Sequence, residues 1–301
     1  MATTFLVMQN EVLGFLGVTS GSGVSALRTR VKRFLNRAAS DMWNRYPWKE
    51  RKNTRFFQTL APYTTGTLTT TQGSASVTGS GTTWVSAHTG MKIAASFDGP
   101  WYVFTRTGAT TGTLDRDWVE ASLSGSAYVL YQDRYSLSTS AEAILGREMV
   151  LHRQGYGSLG RIGRVDGEEV YPFPAGAGTP TWWTLQDVSG GAMRVRLGHA
   201  YPDAVYSVRY GCLDKYTEMS GDSDECVIPE RFRHILIHGA LREAYLIFDD
   251  VEKSMNATAM FDAGVLRAWT RHSDEEPDSG VILGADEVER EPERTVGTVS
   301  E

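Results

Sequence analysis

Gly155, Gly157 and Gly160 reproduce the G-x-G-x-x-G spacing that dinucleotide-binding sites use. Such a site needs a strand before the glycines and a helix after them, because the helix N-terminus faces the pyrophosphate. The residues that follow, RIGRVDGEEVYPF, are instead typical of a strand and a turn. The sequence therefore favours a glycine-rich β connection, and no cofactor is expected.

Two groups of side chains have elements of a metal site. His234 and His238 stand four residues apart on a predicted helix, a spacing that can hold a metal ion. A zincin site would place glutamate after the first histidine, but that position is Ile235, so helix-packing or interface histidines are favoured. The acidic run 222–225 lacks the glycine and the distal glutamate of an EF-hand, which favours a solvated loop. No metal is expected.

The remaining reactive side chains do not form a recognisable catalytic set. Cys212 and Cys226 lack the spacing of a zinc site, and reduced thiols are favoured over a disulfide. The chain has no G-x-S-x-G motif, no P-loop and no carboxylate pair placed around a cleft. The basic stretch 49–55 beside Trp48 could contact phosphate, although a surface stretch after a helix is favoured. We therefore expect no enzymatic activity.

The composition is that of a folded, acidic chain. Its formal net charge of −6 argues against a globally basic nucleic-acid surface. No apolar run approaches the ~18–20 residues of a membrane span. The N-terminus lacks a basic leader and a small-residue cleavage site, so we expect synthesis in the cytoplasm.

Helical periodicity is confined to the two ends of the chain. Residues 4–17 predict a short helix, and the apolar stripe over residues 24–42 predicts a second helix that ends before Pro47. From residue 228 a further helix is predicted, with Phe232 and Phe248 on one apolar ridge. Together with a helix over residues 254–271, it predicts an antiparallel helical hairpin.

The middle of the chain has the pattern of β structure. Short β-prone runs such as SASVTG, PWYVFTR and AMRVRLG alternate with clusters of Gly, Ser, Thr, Asp and Pro. Residues 69–91, TTTQGSASVTGSGTTWVSAHTGM, are composed like a linker, but Ala75 and Val77 alternate with polar residues before the turn at Gly79-Ser80-Gly81. This stretch therefore predicts the first hairpin of a sandwich or barrel.

The predicted fold class is α+β, with one helical domain interrupted by a large inserted antiparallel β region of barrel or sandwich type. Residues 1–55 supply the N-terminal part of the helical domain, residues 56–227 the insertion, and residues 228–272 the helical hairpin that completes it. Residues 273–301 form an acidic tail with the apolar island Val281, Ile282 and Leu283.

Three segments in this order resemble a head-to-tail adaptor (connector) protein of tailed bacteriophages, particularly podovirus-like ones. The first is the basic-faced helix with aromatic end, LRTRVKRFLNRAASDMWNRYPWKER. The second is the β module GSASVTGSGTTWVSAHTGMKIAAS with PWYVFTR after it, and the third is IPERFRHILIHGALREAYLIFDD. The resemblance covers roughly residues 20–270, although TWWTLQDVSGG has no counterpart in the family pattern.

The resemblance implies a structural virion protein at the head–tail interface, made in the cytoplasm of a bacterial host. It implies a homo-oligomeric ring of about twelve copies, with the portal protein above and the tail nozzle or tube protein below. Genomic DNA would pass through the channel without sequence-specific binding, and no membrane would be involved. The alternatives are a tail tube or nozzle component and, less favoured, a carbohydrate-binding β module with Trp101-Tyr102, Trp118 and Trp182-Trp183 as a sugar platform.

The candidate partner-binding residues are the large apolar side chains at the ends of the helices and in the tail. For the aromatic cluster over residues 42–48, a role in the helix core is the favoured interpretation. The candidates are Trp43, Trp48, Trp269, Val281, Ile282 and Leu283.

Overall fold

The computed structural model describes residues 4–18, 23–95, 100–152, 156–163, 176–274 and 282–283. The chain divides into two compact units. The helical unit comprises Met1–Asn53, Ala143–Gly146 and Cys212–Glu301, and the β unit comprises Thr54–Glu142 and Arg147–Gly211. The sequence set the limits of the insertion at residues 56 and 227, and this finer division into domains stays a prediction.

Four α-helices lie in the described part of the helical unit, at the two ends of the chain. The bounds are α1 Phe5–Phe15, α2 Val24–Arg45, α3 Arg233–Ile247 and α4 Val251–Asp274. Short 3-10 helices at Lys49–Arg51 and Glu230–Phe232 follow α2 and precede α3. Each predicted helix is therefore present, within a few residues of its predicted ends.

Helices α2, α3 and α4 bury apolar residues that recur at helical spacing on each of them. Gly239 on α3 permits close packing, because a Cβ there would lie 2.6 Å from the Cβ of Ala38 and 2.8 Å from the ring of Phe261. The buried residues include Val31, Leu35, Ala38 and Met42 on α2, Leu236, Ala240 and Ala244 on α3, and Ala257, Phe261, Val265 and Ala268 on α4.

The acidic loop 222–225 holds the start of α1. The backbone N–H groups of Phe5 and Leu6 donate hydrogen bonds to the carbonyl oxygens of Asp224 and Asp222, at 2.8 and 3.0 Å. These bonds satisfy donors that a helix N-terminus leaves without intrahelical partners. The Asp222 carboxylate also pairs with Lys32 on α2 at 2.7 Å. This loop therefore links the start of α1 to α2 within the helical unit.

The strands of the described residues form two large sheets and one small sheet. Their bounds are β1 Lys52–Gln58, β2 Thr67–Thr70, β3 Ser76–Ser80, β4 Lys92–Ala94, β5 Tyr102–Arg106, β6 Thr111–Leu114, β7 Leu123–Ser126, β8 Val129–Tyr131, β9 Arg134–Ser136, β10 Ala141–His152, β11 Tyr156–Arg161, β12 Ala177–Gly178, β13 Trp182–Ser189, β14 Ala192–Gly198, β15 Tyr201–Pro202, β16 Ser207–Asp214 and β17 Ile282–Leu283. The sheet orders are β7-β2-β3-β6-β5-β4-β8, then β1-β16-β10-β11-β13-β14-β9 with β17 on β10, and the pair β12-β15.

The predicted α+β class, with terminal helices and a large central antiparallel β region in curled sheets, is confirmed. The linker-like stretch 69–91 belongs to the β region, as predicted, but its hairpin is placed differently. Strands β2 and β3 pair from Thr67↔Ser80 to Thr70↔Val77, and Gly79 and Ser80, two of the predicted turn residues, belong to β3. The turn between β2 and β3 uses Gly73 at φ 77°, a conformation that favours glycine. Two strand pairs differ from the predicted pattern, because β11–β13 and β12–β15 run parallel.

A buried ion cluster links the two large sheets inside the β unit. Lys92 on β4 and Arg196 on β14 both donate to Oδ2 of Asp133, which precedes β9, at 2.6 Å (Nζ) and 3.1 Å (Nε). All three side chains are 5% exposed. The Lys92 ammonium also lies 3.8 Å from the centre of the Trp101 ring. Burial lowers the pKa of Lys92, and the carboxylate opposes that shift.

Candidate assembly surface

The glycine motif lies on a β hairpin. Gly157 and Gly160 are part of β11, which pairs with β10 in the antiparallel register Leu151↔Gly157 and Glu148↔Gly160. Gly155 lies outside the described residues. A strand therefore occupies the place where a dinucleotide site needs a helix N-terminus, and the predicted glycine-rich β connection is confirmed.

The candidate metal ligands do not converge in the part of the chain that the structure describes. His234 is exposed and His238 half-buried on α3, and no group of three or more His, Cys, Asp or Glu side chains is arranged to hold a metal ion there. Burial and the neighbouring His234 lower the pKa of His238 below its usual value. Cys212 and Cys226 are both buried thiols.

The aromatic residues of the sugar-platform alternative are mostly core residues. Tyr102, Trp118, Trp182 and Trp183 are all buried within the β unit. Tyr102 and Trp118 stack on each other, with ring centres 4.7 Å apart. A sugar platform needs aromatic faces open to solvent, so these four side chains do not provide one.

Two of the candidate partner-binding tryptophans are buried in the helical unit. Trp43 donates its indole N–H to the carbonyl oxygen of Asp214 at 3.0 Å, and Trp48 donates to that of Met42 at 2.9 Å. Both indoles therefore have an apolar environment and a satisfied donor within the chain itself. The core role favoured for the aromatic cluster is confirmed, and a contact of these residues with a partner stays a prediction.

The third candidate, Trp269 on α4, is half-buried at the edge of the same cluster. Its ring stacks on Tyr46 with centres 4.9 Å apart and planes 3° from parallel. It also meets the Trp48 ring edge-on at 5.6 Å. Trp269 thus joins the end of α2 to α4 and keeps part of its surface exposed.

The apolar island of the tail supplies a short strand. Ile282 and Leu283 form β17, which pairs antiparallel with β10 at Leu145 and Ile144. Val281 lies outside the described residues. A contact between the island and a partner protein stays a prediction.

Among the described residues, a run of exposed apolar side chains lies where α3 ends and α4 begins. We call these residues the hairpin tip. Each of them is between 38% and 68% exposed, whereas single exposed apolar residues are the usual finding on a protein surface. The hairpin tip consists of Leu246, Ile247, Phe248, Val251 and Met255.

The turn geometry explains why the hairpin tip is exposed. Helix α3 ends at Ile247, and Asp249 takes a left-handed conformation with φ 55°. Asp250 then starts α4 by accepting a hydrogen bond from the backbone N–H of Lys253 at 3.1 Å. The Lys253 side chain donates to Asp250 as well, which lowers the pKa of Asp250 and raises that of Lys253. Both charges are therefore paired locally at neutral pH.

The apolar surface continues along the outer face of α4. Ala259, Ala263 and Leu266 follow Val251 and Met255 at helical spacing and are exposed. The buried face of α4 lies on another side of the helix, at residues 257, 261, 265 and 268. Helix α4 therefore has two apolar faces, of which one is covered within the described residues of the helical unit.

Sequence reasoning missed the hairpin tip because it placed Phe248 on one apolar ridge with Phe232, inside the predicted helix. That expectation is wrong, since the helix ends one residue earlier and Phe248 is 52% exposed. The signal was available in LIFDD, where two acidic residues directly after three apolar ones favour a turn.

Comparison with known protein families finds one family that matches this chain. The SU10 adaptor protein family matches residues 3–281, nearly the whole chain. The chain belongs to the SU10 adaptor protein family. The predicted resemblance to a phage adaptor is thereby confirmed, and the family indicates a structural protein of the virion. No curated protein matches the chain.

No helix in the described part of the chain combines the length and apolar character that a membrane crossing requires.

Proposed function

We propose that this adaptor forms a ring that joins the portal of a podovirus-like phage to its tail and lets DNA pass. About twelve copies would close the ring, each using one heterologous interface repeated around the axis. The portal protein would lie above it and the tail nozzle or tube protein below. The protein would act through these contacts and not as an enzyme.

The observation that carries this proposal is the second apolar face of the helical hairpin in a chain of the SU10 adaptor family. Fully burying an exposed Leu, Ile, Val, Phe or Met side chain contributes about 1.5–3 kcal/mol. Five such residues at the hairpin tip supply enough apolar surface for a subunit contact, even after the entropic cost of association.

The charge distribution is compatible with DNA passage without specific binding. Residues 274–301 hold ten acidic residues and two arginines, whereas the whole chain has a net charge of −6. The rest of the chain is therefore nearly neutral. A channel wall of low net charge releases few counterions and so holds DNA weakly.

The experiment compares the mass of the assembled particle for two triple variants. Leu246→Ser, Phe248→Ser and Met255→Ser together remove apolar surface from the hairpin tip. Val119→Ser, Val188→Ser and Val205→Ser form the control, because these valines are also exposed, at 54–67%, but lie on the β unit. Light scattering with and without purified portal should show rings for the wild type and for the control, and loss of rings for the tip variant.

Two results would contradict the proposal. If the wild type stays monomeric with portal present but assembles with tail tube protein alone, the protein is a tail component. If the tip variant assembles as well as the valine control, the hairpin tip is not the ring interface.

The tail island Val281, Ile282 and Leu283 is proposed as an anchor on the neighbouring portal. Deleting residues 274–301 should then weaken portal attachment in a pull-down with immobilised portal rings. Unchanged attachment would refute this role for the island and leave the ring proposal intact.

A further inference from the structure

A basic groove lies between the start of α3 and the second half of α4. Its cavity volume is ≈ 580 Å³, a size typical of ligand sites. Ile235, Gly264 and Leu266 contribute apolar surface to it. Its cationic side chains are Arg231, Arg267 and Arg271, with His234 beside them. All four of these are exposed, so the groove offers positive charge beside apolar surface.

Two of these arginines can offer their guanidinium groups to an anionic ligand. Within the described residues, neither Arg267 nor Arg271 makes an ion pair or a side-chain hydrogen bond. They stand four residues apart on α4 and so present their guanidinium groups on the same face. The Arg231 guanidinium lies against the ring of Phe232, 4.6 Å from its centre. A carboxylate-rich ligand would match this arrangement, because arginine binds carboxylates with paired hydrogen bonds.

The chain itself supplies such a ligand after β17. Residues 284–301 include six acidic residues and two arginines. Within them, the run DEVEREPE over residues 286–293 places Val288 between carboxylates. This order of one apolar and several acidic side chains complements a groove with an apolar part and a basic rim.

The chain between the tether and the segment limits how far the segment can reach. Val288 is five residues beyond Leu283 and Glu293 is ten, so an extended chain carries them at most about 18 and about 36 Å from that residue. The segment is tethered to the same unit at Leu283 on β17. A short tether gives effective concentrations in the millimolar range, which favours the chain's own segment over a free one.

We propose that the basic groove between α3 and α4 binds the acidic segment 286–293 of the same chain. Val288 lies against the apolar part of the groove, and the flanking carboxylates pair with Arg267 and Arg271. In this state the segment neutralises the arginines that line the groove. It thereby keeps the groove from binding other anionic ligands, DNA phosphates included.

The test uses zero-length carbodiimide crosslinking of the full chain. Arg267→Lys with Arg271→Lys keeps the charge and supplies amines that can form amide bonds with nearby carboxylates. Arg30→Lys with Arg33→Lys on α2 is the matched control, because these arginines are exposed and lie outside the groove. Mass spectrometry should find crosslinks from positions 267 and 271 to residues 286–293 at about ten times the control yield. Raising the salt from about 50 mM to about 500 mM should reduce that yield, because salt screens exposed charges.

A mixture of unlabelled and ¹⁵N-labelled chains shows whether the bound segment comes from the same chain or from a second copy. Crosslinked peptide pairs in which both peptides are labelled, or both unlabelled, support the proposal. Crosslinks of mixed isotope would show that a second copy fills the groove, and a yield equal to the control would show that the segment does not bind it. Both results overturn the proposal.

A second measurement keeps the proposal testable if crosslinking perturbs the fold. A fluorescent peptide of residues 284–301 is titrated into the full chain carrying Asp286→Asn, Glu287→Gln and Glu289→Gln, whose own segment is weakened. It should bind at least about tenfold more tightly than to the wild type, and Arg267→Glu with Arg271→Glu should abolish binding. If duplex DNA binds the wild type at the groove and the peptide does not compete, the groove is a phosphate site and the assignment fails.

Discussion

Removing the carboxylate of Asp133 would leave two cations buried side by side in the β unit. Lys92 and Arg196 both donate to this one carboxylate, at 2.6 and 3.1 Å, and each side chain is 5% exposed. Asp133→Asn keeps the shape of the side chain and removes its charge. The variant therefore tests the electrostatic role of the cluster with little change in packing.

The expected cost is large because the charges that remain cannot reach water. Breaking a buried ion pair by removing one partner costs about 3–5 kcal/mol. Here one carboxylate serves two cations, so we expect a value near the upper end of that range. The contact between Lys92 and the Trp101 ring is present with or without the Asp133 carboxylate, so it does not reduce this loss.

The pH dependence separates an electrostatic cause from a packing defect. Burial lowers the pKa of Lys92 from 10.5, and Asp133 opposes that shift. In Asp133→Asn the pKa of Lys92 falls further, so the lysine can release its proton in the folded state while the unfolded chain stays protonated. Stability of the variant then rises with pH up to about 10.5, and its deficit relative to wild type should be smaller at pH 10 than at pH 7.

The assay is urea unfolding followed by tryptophan fluorescence, together with the double variant Lys92→Met/Asp133→Asn. Removing one of the two cations should recover part of the stability lost in Asp133→Asn, which makes the two substitutions non-additive. A loss below about 1 kcal/mol, additive effects, or a deficit independent of pH would refute the electrostatic explanation.

Three further predictions concern packing and charge. Gly239→Ala should cost about 1–3 kcal/mol in thermal unfolding because its Cβ would meet Ala38 and Phe261, whereas Gly14→Ala, with no atom within 4 Å, should leave the melting temperature unchanged or slightly higher. Burial raises the pKa of Asp41, but Arg45 and Arg242 outweigh burial and hold it below 3.8, so the stability lost in Asp41→Asn at pH 6 should shrink as the pH falls below 3.8. Burial and the nearby Arg106 hold the pKa of His88 below 6.5, so stability should decline as the pH drops below 6.5, and less so in His88→Gln.

The sequence predicted the elements of this fold better than the uses of its side chains. Apolar spacing was enough for α1, α2 and the helical hairpin, because burial of one face determines a helix position. Alternation at Ala75 and Val77 was enough to distinguish a strand from a linker, but it did not locate the turn of the hairpin, which contains Gly73. The parallel pairs β11–β13 and β12–β15 could not be predicted, since strand partners distant in the chain leave no local pattern.

The assembly surface required the structure because apolar residues in the core and on an interface have the same sequence pattern. Trp43 and Trp48 have the size and type of interface anchors, yet both lie in the core with their N–H groups bonded to backbone oxygens. Leu246 and Met255 fit the same helical periodicity and are exposed. The end of α3 at Ile247 and the turn at Asp249 are the features that expose the apolar side chains around them, and neither has an apolar pattern of its own.

The helical unit is built from both ends of the chain, so its two parts leave the ribosome at different times. Helix α2 ends at Arg45 and its partner α3 starts at Arg233, so about 190 residues must be made between them. At about 5–20 residues per second, the apolar face of α2 waits roughly 10–40 s for that partner. During this time the β unit can fold, and the pairing of β1 with β16 brings the two flanking segments together. A chaperone that covers α2 in this interval would therefore govern the yield of the protein.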